Sequence, residues 1–385
     1  VRVLMRLVQG LALGGEYGGA PTYVAEHAPP GKRGFYTSFI QITATAGLML
    51  SLLVILGVRS AIGEEAFKEW GWRIPFLVSI LLLGVSLWIR LKLAESPAFA
   101  RMKAEGRGST TPLKDSFGKW PNLKLVLLAL FGLAAGQAVV WYTGQFYALF
   151  FLEKTLKVDP ALANVLIAIS LALATPFFVF WGWLSDKVGR KPIILIGCLL
   201  AALTYFPLFH ALTGAANPRL AAATASAPVT VVADPADCAF QFDPVGKTVF
   251  DSSCDMAKSY LAKAGVTYET VAAPAGTVAE VRIGETVVPG LADPSGKAEW
   301  EKGLGAALTA AGYPAKADSA LVNKPLVVGI LFVLVLYVTM VYGPIAAALV
   351  EMFPTRVRYT SMSLPYHIGN GWFGGFLPTT AFAMV

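Results

Sequence analysis

The sequence predicts an all-α membrane protein with one small α+β insert on its outer face. Three observations predict it: repeated apolar runs of bilayer length, too little charge for a water-facing surface, and one long internal stretch of different composition. A bilayer core about 30 Å thick takes roughly 20 apolar residues at a rise of about 1.5 Å each. Seven runs approach or exceed that length, at 35–58, 74–89, 125–152, 161–185, 192–211, 325–350 and 359–385. An eighth, 3–25, is broken only by Arg6 and Glu16. Of the 385 residues, 56% are hydrophobic and 14% charged, which leaves too little polar surface to cover a water-soluble chain.

Alternation of the runs sorts the loops onto two sides. One side collects Lys32, Arg33, the stretch from Arg90 to Lys124, Lys187, Arg190, Lys191, Arg356 and Arg358. The other side's short loops hold only Arg59, Lys68, Arg73, Lys154 and Lys157. The positive-inside rule makes the first side cytoplasmic, so the net charge of +7 reflects orientation in a membrane rather than nucleic-acid binding. The chain opens and closes inside apolar runs and reads as an internal piece of a longer protein.

The insert spans 214–323, rich in Ala, Gly, Pro, Thr and Asp, with twelve acidic against eight basic residues. Period-two stretches at 229–233, 266–272 and 278–288, the last bending at Gly284-Glu285, predict strands. Segments 255–264 and 297–311 read as helices. Cys238 and Cys254 lie here, on the oxidising side, while Cys198 sits in a membrane run. A disulfide and two free thiols both remain open for that pair, and with no His in the insert no metal site is expected.

Two matching segments suggest an internal repeat. Glu26, Pro29 and Arg33 fit E-x-x-P-x-x-x-R after the first run, and Glu351, Pro354 and Arg358 fit it after the seventh. Each leads into a Ser/Thr-bearing helix, as expected for two related bundles facing each other across a solute path. Between the fifth and sixth runs, Gly182, Asp186, Gly189, Arg190 and Lys191 fit G-x-x-x-D-x-x-G-R-[KR]. Arg6, Gly10 and Gly14 fit R-x-x-x-G-x-x-x-G, followed by Gly15-Glu16. Glu351, Phe353, Pro354, Thr355, Arg356, Arg358 and Thr360 follow E-F-P-T-R-x-R-x-T, with Met352 as one added residue.

On these motifs the chain resembles the major facilitator superfamily and, within it, the metabolite:proton symporters. The resemblance covers everything except the insert. It implies the two-bundle helical fold of that family, with eight of its twelve helices present, numbers four to eleven. The expected organisation is then 1–93 for the end of the N-terminal bundle, 94–122 for a central cytoplasmic loop, 123–213 and 324–385 for the C-terminal bundle, and 214–323 for the extracytoplasmic insert.

Arg6, Gly10 and Gly14 share one helix flank, where the glycines admit a neighbouring helix. A guanidinium in hydrocarbon faces a wet cavity or a carboxylate, so Arg6 is a candidate for proton coupling, as the resemblance also implies; snorkelling to the interface is the alternative. Glu16, ten residues later, is either a protonatable carboxylate or a static partner of another helix's cation. Gly182, Asp186, Gly189, Arg190 and Lys191 are expected to form a cytoplasmic gate, Asp186 by capping a helix or pairing across the bundle interface. Glu26 with Arg33, and Glu351 with Arg358, are expected to complete it.

Solute contacts are sought on polar and aromatic side chains near the membrane midplane. Gln137, Trp141 and Gln145 recur every four residues, with Tyr142 and Tyr147 beside them. Gln41, Tyr337, Tyr342, Tyr366 and Asn370 are further candidates, and His367 is a possible proton-titrating group with a structural role as its alternative. The sequence carries no Walker loop, H-E-x-x-H or G-x-S-x-G, so no enzyme and no cofactor is expected. The reading is a monomeric, multi-pass secondary transporter of the bacterial inner membrane. It moves a small polar metabolite, an organic acid or a zwitterion such as proline or betaine, with protons by rocker-switch alternating access. Alternatives are a facilitative uniporter and a transporter-like receptor whose insert binds a ligand or partner.

Overall fold

The computed structural model describes residues 4, 5, 8, 10, 16–93, 95–106, 108–241, 249–291 and 294–384. In chain order the main helices are α1 (Glu16–His27), α2 (Arg33–Ile62), α3 (Gly71–Lys92), α4 (Pro97–Ala104), α5 (Pro112–Phe117), α6 (Trp120–Thr155), α7 (Pro160–Val188) and α8 (Arg190–Ala216). They continue as α9 (Pro218–Ser226), α10 (Ser253–Ala264), α11 (Lys297–Ala310), α12 (Lys324–Met352), α13 (Arg358–Ile368) and α14 (Leu377–Met384). Among the described residues, α2, α3, α6, α7, α8 and α12 are long and apolar enough to cross a membrane.

The exposure of these helices follows a bilayer's logic. The apolar window of α3 has no buried residue, with Leu81 72% and Leu91 76% exposed. Such a helix is stable only where the surroundings are themselves apolar. By contrast, the window of α12 is mostly buried. Pro176 interrupts α7, and Gly343-Pro344 interrupts α12, where the missing N–H and the ring of proline break the α ladder.

Two of the expected runs depart from simple spans. Of the run 3–25, the helix from Glu16 onward is described, while Arg6 and Gly14 lie outside the described residues. The run 359–385 is not one unbroken span. α13 passes into a π-helical segment, Gly369–Gly375, before α14. Four glycines between 369 and 375 weaken the regular ladder there. α6 also carries π-helical stretches, at Leu130–Ala134, Thr143–Tyr147 and Phe151–Thr155.

The chain folds into two compact units: residues 1–141, 168–202 and 335–373, and residues 142–167, 203–334 and 374–385. In the first, α2 and α7 approach backbone to backbone. A Cβ on Gly34 would stand 2.4 Å from the Gly182 carbonyl oxygen, and one on Gly182 would stand 2.6 Å from that of Gly34.

The second unit contains a sheet of four strands, β1 (Val229–Ala233), β2 (Tyr268–Ala272), β3 (Glu280–Ile283) and β4 (Thr286–Val288). Their order is β2-β1-β3-β4, with β1 parallel to β2 and the other pairings antiparallel. The β3–β4 hairpin turns at Gly284, whose φ of 56° suits a residue without a Cβ. Val229, Val231, Val281 and Ile283 bury their side chains along with Met256 and Leu261 of α10. The module is tied to the helix ends of its own unit: the Asn217 amide donates to the Leu156 carbonyl at 3.0 Å, and Asn323 N–H to that of Ala215 at 2.9 Å.

Cys238 and Cys254 are joined by a disulfide with Cα atoms 5.2 Å apart. Close by, the Asp234 carboxylate accepts N–H groups from Gly276 at 2.7 Å and Ala236 at 2.9 Å. Those bonds, Gly276 first, hold its pKa below the ordinary 3.8. A depressed folded-state pKa adds stability above the unfolded value, and that stability is lost as pH falls through the folded one. The melting temperature of the module is therefore expected to fall on acidification below about pH 4, and to fall less in Asp234→Ala. Equal acid sensitivity in both proteins would remove Asp234 from the explanation.

Candidate functional site

Two sites emerge in the first unit. At its basic end, Asp186 of α7 accepts Gly34 N–H and Phe35 N–H, both at 2.8 Å. Its carboxylate thus caps the N-terminus of α2, where unsatisfied amides and the helix dipole favour an anion. Arg190 lies 2.7 Å from Asp186 and reaches Glu351 of α12 at 3.1 Å, while also donating to the Ser185 hydroxyl at 2.9 Å. The Asp186 and Arg190 side chains are only 6% and 15% exposed, so this is a largely desolvated pair. Gly189, with φ 93°, makes the turn that swings Arg190 back toward Asp186, while Lys191 is exposed.

The expected pairing within each repeat is corrected. Glu26 pairs with Arg358 at 2.6 Å, not with Arg33, and Glu351 pairs with Arg190, not with Arg358. The physical reason is helical direction: Arg33 and Arg358 begin helices that lead away from the acidic residue preceding them. Arg358 is held further by its bond to the Phe353 carbonyl at 3.0 Å. Glu26 also accepts a short bond from the Ser96 hydroxyl, and Ser361 donates to Ser116 at 2.8 Å, stitching the segment of α4 and α5 to the same end.

Deeper in the unit, side chains of five helices converge. Tyr17 of α1 stacks on Tyr366 of α13, ring centroids 3.4 Å apart. The Gln41 amide donates to the Tyr17 hydroxyl at 2.7 Å, and the hydroxyls of Tyr342 and Tyr366 meet at 2.8 Å. Trp141 lies against Tyr342, centroids 5.9 Å apart. Tyr17, Gln41, Tyr342 and Tyr366 sit eight to ten residues from the basic ends of their helices, about 12–15 Å along the axis and close to half the bilayer core.

Gln137, one turn from Trp141 on the same face of α6, is fully buried. Among the described residues neither its amide nitrogen nor its oxygen meets a hydrogen-bond partner, and the same holds for Gln41 Oε1 and Trp181 Nε1. An unpaired buried polar group costs about 1–3 kcal/mol, so such a group in a native protein calls for an explanation beyond packing.

The other predicted residues divide as follows. Asn370 binds locally, its amide donating to the Tyr366 carbonyl at 2.9 Å, and His367 packs edge-on against the Tyr366 ring. Gln145 is buried in the π-helical stretch of α6, and Tyr142 is half-buried. Both belong to the second unit. Arg6 and the side chain of Glu16 lie outside the described residues. Tyr17 and Trp181 escaped the sequence reading. The only signal for Tyr17 was an aromatic next to Glu16 in a glycine-rich helix.

Residues 3–234 match the family profile described as Major Facilitator Superfamily. The alpha-ketoglutarate permease of Escherichia coli K12 is 35% identical over 219 residues, covering 57% of this chain and 49% of the permease. The shikimate transporter of the same organism is 32% identical over 215 residues, covering 54% of this chain and 48% of the transporter. The proline/betaine transporter of Salmonella typhimurium is 34% identical over 217 residues, with 54% and 43% covered. The chain thus spans about half the length of the curated relatives it matches. No solved structure shows a significant match.

Proposed function

This chain belongs to the Major Facilitator Superfamily, a family of transporters rather than enzymes, and is a multi-pass protein of the bacterial inner membrane; from that premise we propose that it carries a small polar metabolite across the membrane by proton-coupled symport. The observation that carries the reading is the buried, unpartnered amide of Gln137 beside the Gln41, Tyr17, Tyr366, Tyr342 and Trp141 cluster. An apolar-walled site with a few convergent polar groups at mid-membrane depth suits a solute with several hydrogen-bonding atoms. A small carboxylate or zwitterion has that chemistry, in keeping with the names of the permease and transporters to which the chain is similar.

In this reading the end bearing Asp186, Arg190, Glu26, Glu351 and Arg358 faces the cytoplasm and is the gate. Its charge pairs and the Gly34–Gly182 approach hold the cytoplasmic ends together in one state and part in the other, a two-state element of the kind alternating access requires. Residues 1–93 close the first bundle, 94–122 form the cytoplasmic loop, 123–213 and 324–385 build the second bundle, and 214–323 form an extracytoplasmic module. Arg6 and Glu16 couple the solute's movement to protons, and the carrier works as a monomer.

Uptake of labelled carboxylates, amino acids and betaines into liposomes holding the intact protein, under an inside-alkaline gradient, tests the reading. Accumulation above equilibrium that a protonophore abolishes is expected. Saturable equilibration indifferent to the protonophore would leave a uniporter. Replacing Gln137 with leucine is expected to weaken solute affinity by about tenfold or more, the loss of one or two hydrogen bonds, while leaving the melting temperature unchanged or raised, since an unpaired buried amide is removed. A variant that loses stability and keeps its KM would make Gln137 a packing residue.

A further inference from the structure

The module of residues 214–323 carries chemistry that solute transport does not use. Its order is strand, helix, strand and then strand, strand, helix, running β1, α10, β2, β3, β4, α11, with the sheet arranged β2-β1-β3-β4. Cys254 is the second residue of α10, the helix that follows the first strand, and its partner Cys238 lies in the segment between β1 and that helix. A sulfur at a helix N-terminus in a βαβ setting is placed where the dipole and backbone amides stabilise a thiolate, the placement that redox-active C-x-x-C pairs also use. Here the two sulfurs are separated by 16 positions rather than lying in one C-x-x-C.

Two further observations distinguish this bond from a plain structural staple. The sulfurs are unequal: Cys254 is fully buried, whereas Cys238 is half-buried and the loop around it is exposed, with Phe240 58% accessible. Of the two residues, Cys238 is the one that reaches the surface among the described residues. The framework also holds both cysteines independently of the bond. Ala239 N–H donates to the Asp255 carboxylate at 2.8 Å, the Gln241 amide donates to the Asp255 carbonyl at 2.8 Å, and the Ser252 hydroxyl donates to the Asp237 carbonyl at 2.5 Å. On the far side, Ala279 N–H donates to the Ser253 hydroxyl at 2.9 Å, fastening the start of α10 to the segment leading into β3. None of these bonds involves a cysteine sulfur.

We propose that Cys238–Cys254 is a thiol–disulfide exchange site on the outer face, reacting with dithiols. A thiolate of the dithiol attacks the Cys238 sulfur, forming a mixed disulfide. The Cys238–Cys254 bond breaks with its electron pair passing to the Cys254 sulfur, which leaves as a thiolate at the α10 N-terminus and then takes a proton from water. The second thiolate of the dithiol attacks its own sulfur in the mixed disulfide and releases the Cys238 thiolate. The dithiol is oxidised to a disulfide by two electrons, and the pair of cysteines is reduced by the same two. A leaving thiolate stabilised by a helix N-terminus makes the first step fast.

The intact protein in lipid nanodiscs tests this with dithiothreitol and glutathione as probes, tagging thiols with a maleimide and locating the tags by mass spectrometry. Reduction by dithiothreitol without denaturant, followed by removal of the reductant and tagging in denaturant, is expected to place tags at both Cys238 and Cys254, with the melting transition of the reduced module retained and the bond restored by oxidised glutathione. In Cys254→Ser, the free Cys238 thiolate is expected to attack oxidised glutathione, keeping one glutathionyl group and releasing the other as glutathione, about tenfold or more above the same capture at Cys254 in Cys238→Ser, because the buried sulfur is screened from the probe. A bond that resists dithiothreitol until the protein is denatured would overturn the proposal, as would loss of the module's melting transition on reduction. Equal capture from oxidised glutathione by the two variants would overturn the direction of attack and with it the site.

Discussion

Gly182→Ala is expected to cut proton-driven uptake by at least about tenfold while leaving the protein in the membrane at normal abundance. The added methyl would lie 2.6 Å from the Gly34 carbonyl oxygen and 2.6 Å from the Ser38 Cβ. Neither atom can swing aside, because one is backbone and the other is the first carbon of a side chain on a helix. α2 and α7 must therefore separate by a fraction of an ångström to an ångström, and the contacts at their basic ends are lost together. A destabilisation of about 1.4 kcal/mol of the closed end corresponds to a tenfold shift in its population. Gly34→Ala should behave alike, since its Cβ would meet the Gly182 oxygen at 2.4 Å. Uptake by both variants at the rate of the unmodified protein would show that close approach of α2 and α7 is not needed for transport.

The second large effect is expected from Asp186→Asn. One carboxylate satisfies two amides at the start of α2 and the guanidinium of Arg190. Breaking a largely buried pair from one side leaves the other charge uncompensated, at about 3 kcal/mol, or roughly a hundredfold in population. Asparagine keeps the size and one acceptor, so the loss reads the charge rather than the shape. Transport is expected to fall by one to two orders of magnitude with solute affinity nearly unchanged, since Asp186 lies far from the Gln41–Tyr366 cluster in sequence depth. A change in KM with unaltered maximal rate would place Asp186 in the solute site instead.

Much of the fold could be read before any coordinates. Bilayer-length apolar runs located the long helices, because burial in lipid imposes length and composition directly. Period-two alternation at 229–233 and 266–272, with a bend at Gly284-Glu285, anticipated β1, β2 (268–272) and the β3–β4 hairpin, all from local signals. The last run was less legible: its apolar composition hid the glycines that turn residues 369–375 into a π-helical segment. Pairing was least legible. That Glu26 meets Arg358 and Glu351 meets Arg190 depends on which helix ends the packing brings together, and nothing in the spacing of E-x-x-P-x-x-x-R encodes it. Tyr17 was missed for the same reason, since its significance comes from Tyr366, 349 positions away in the chain.

The proposed gate is tested most directly by the distance between spin labels at Tyr36→Cys on α2 and Val188→Cys at the end of α7, both exposed positions, measured by pulsed electron paramagnetic resonance in nanodiscs. The account predicts two distance populations, a short one matching the latched ends and a longer one that grows when solute and protons are supplied and dominates in Asp186→Asn. A single short distance, unmoved by solute, by pH and by that substitution, would contradict it.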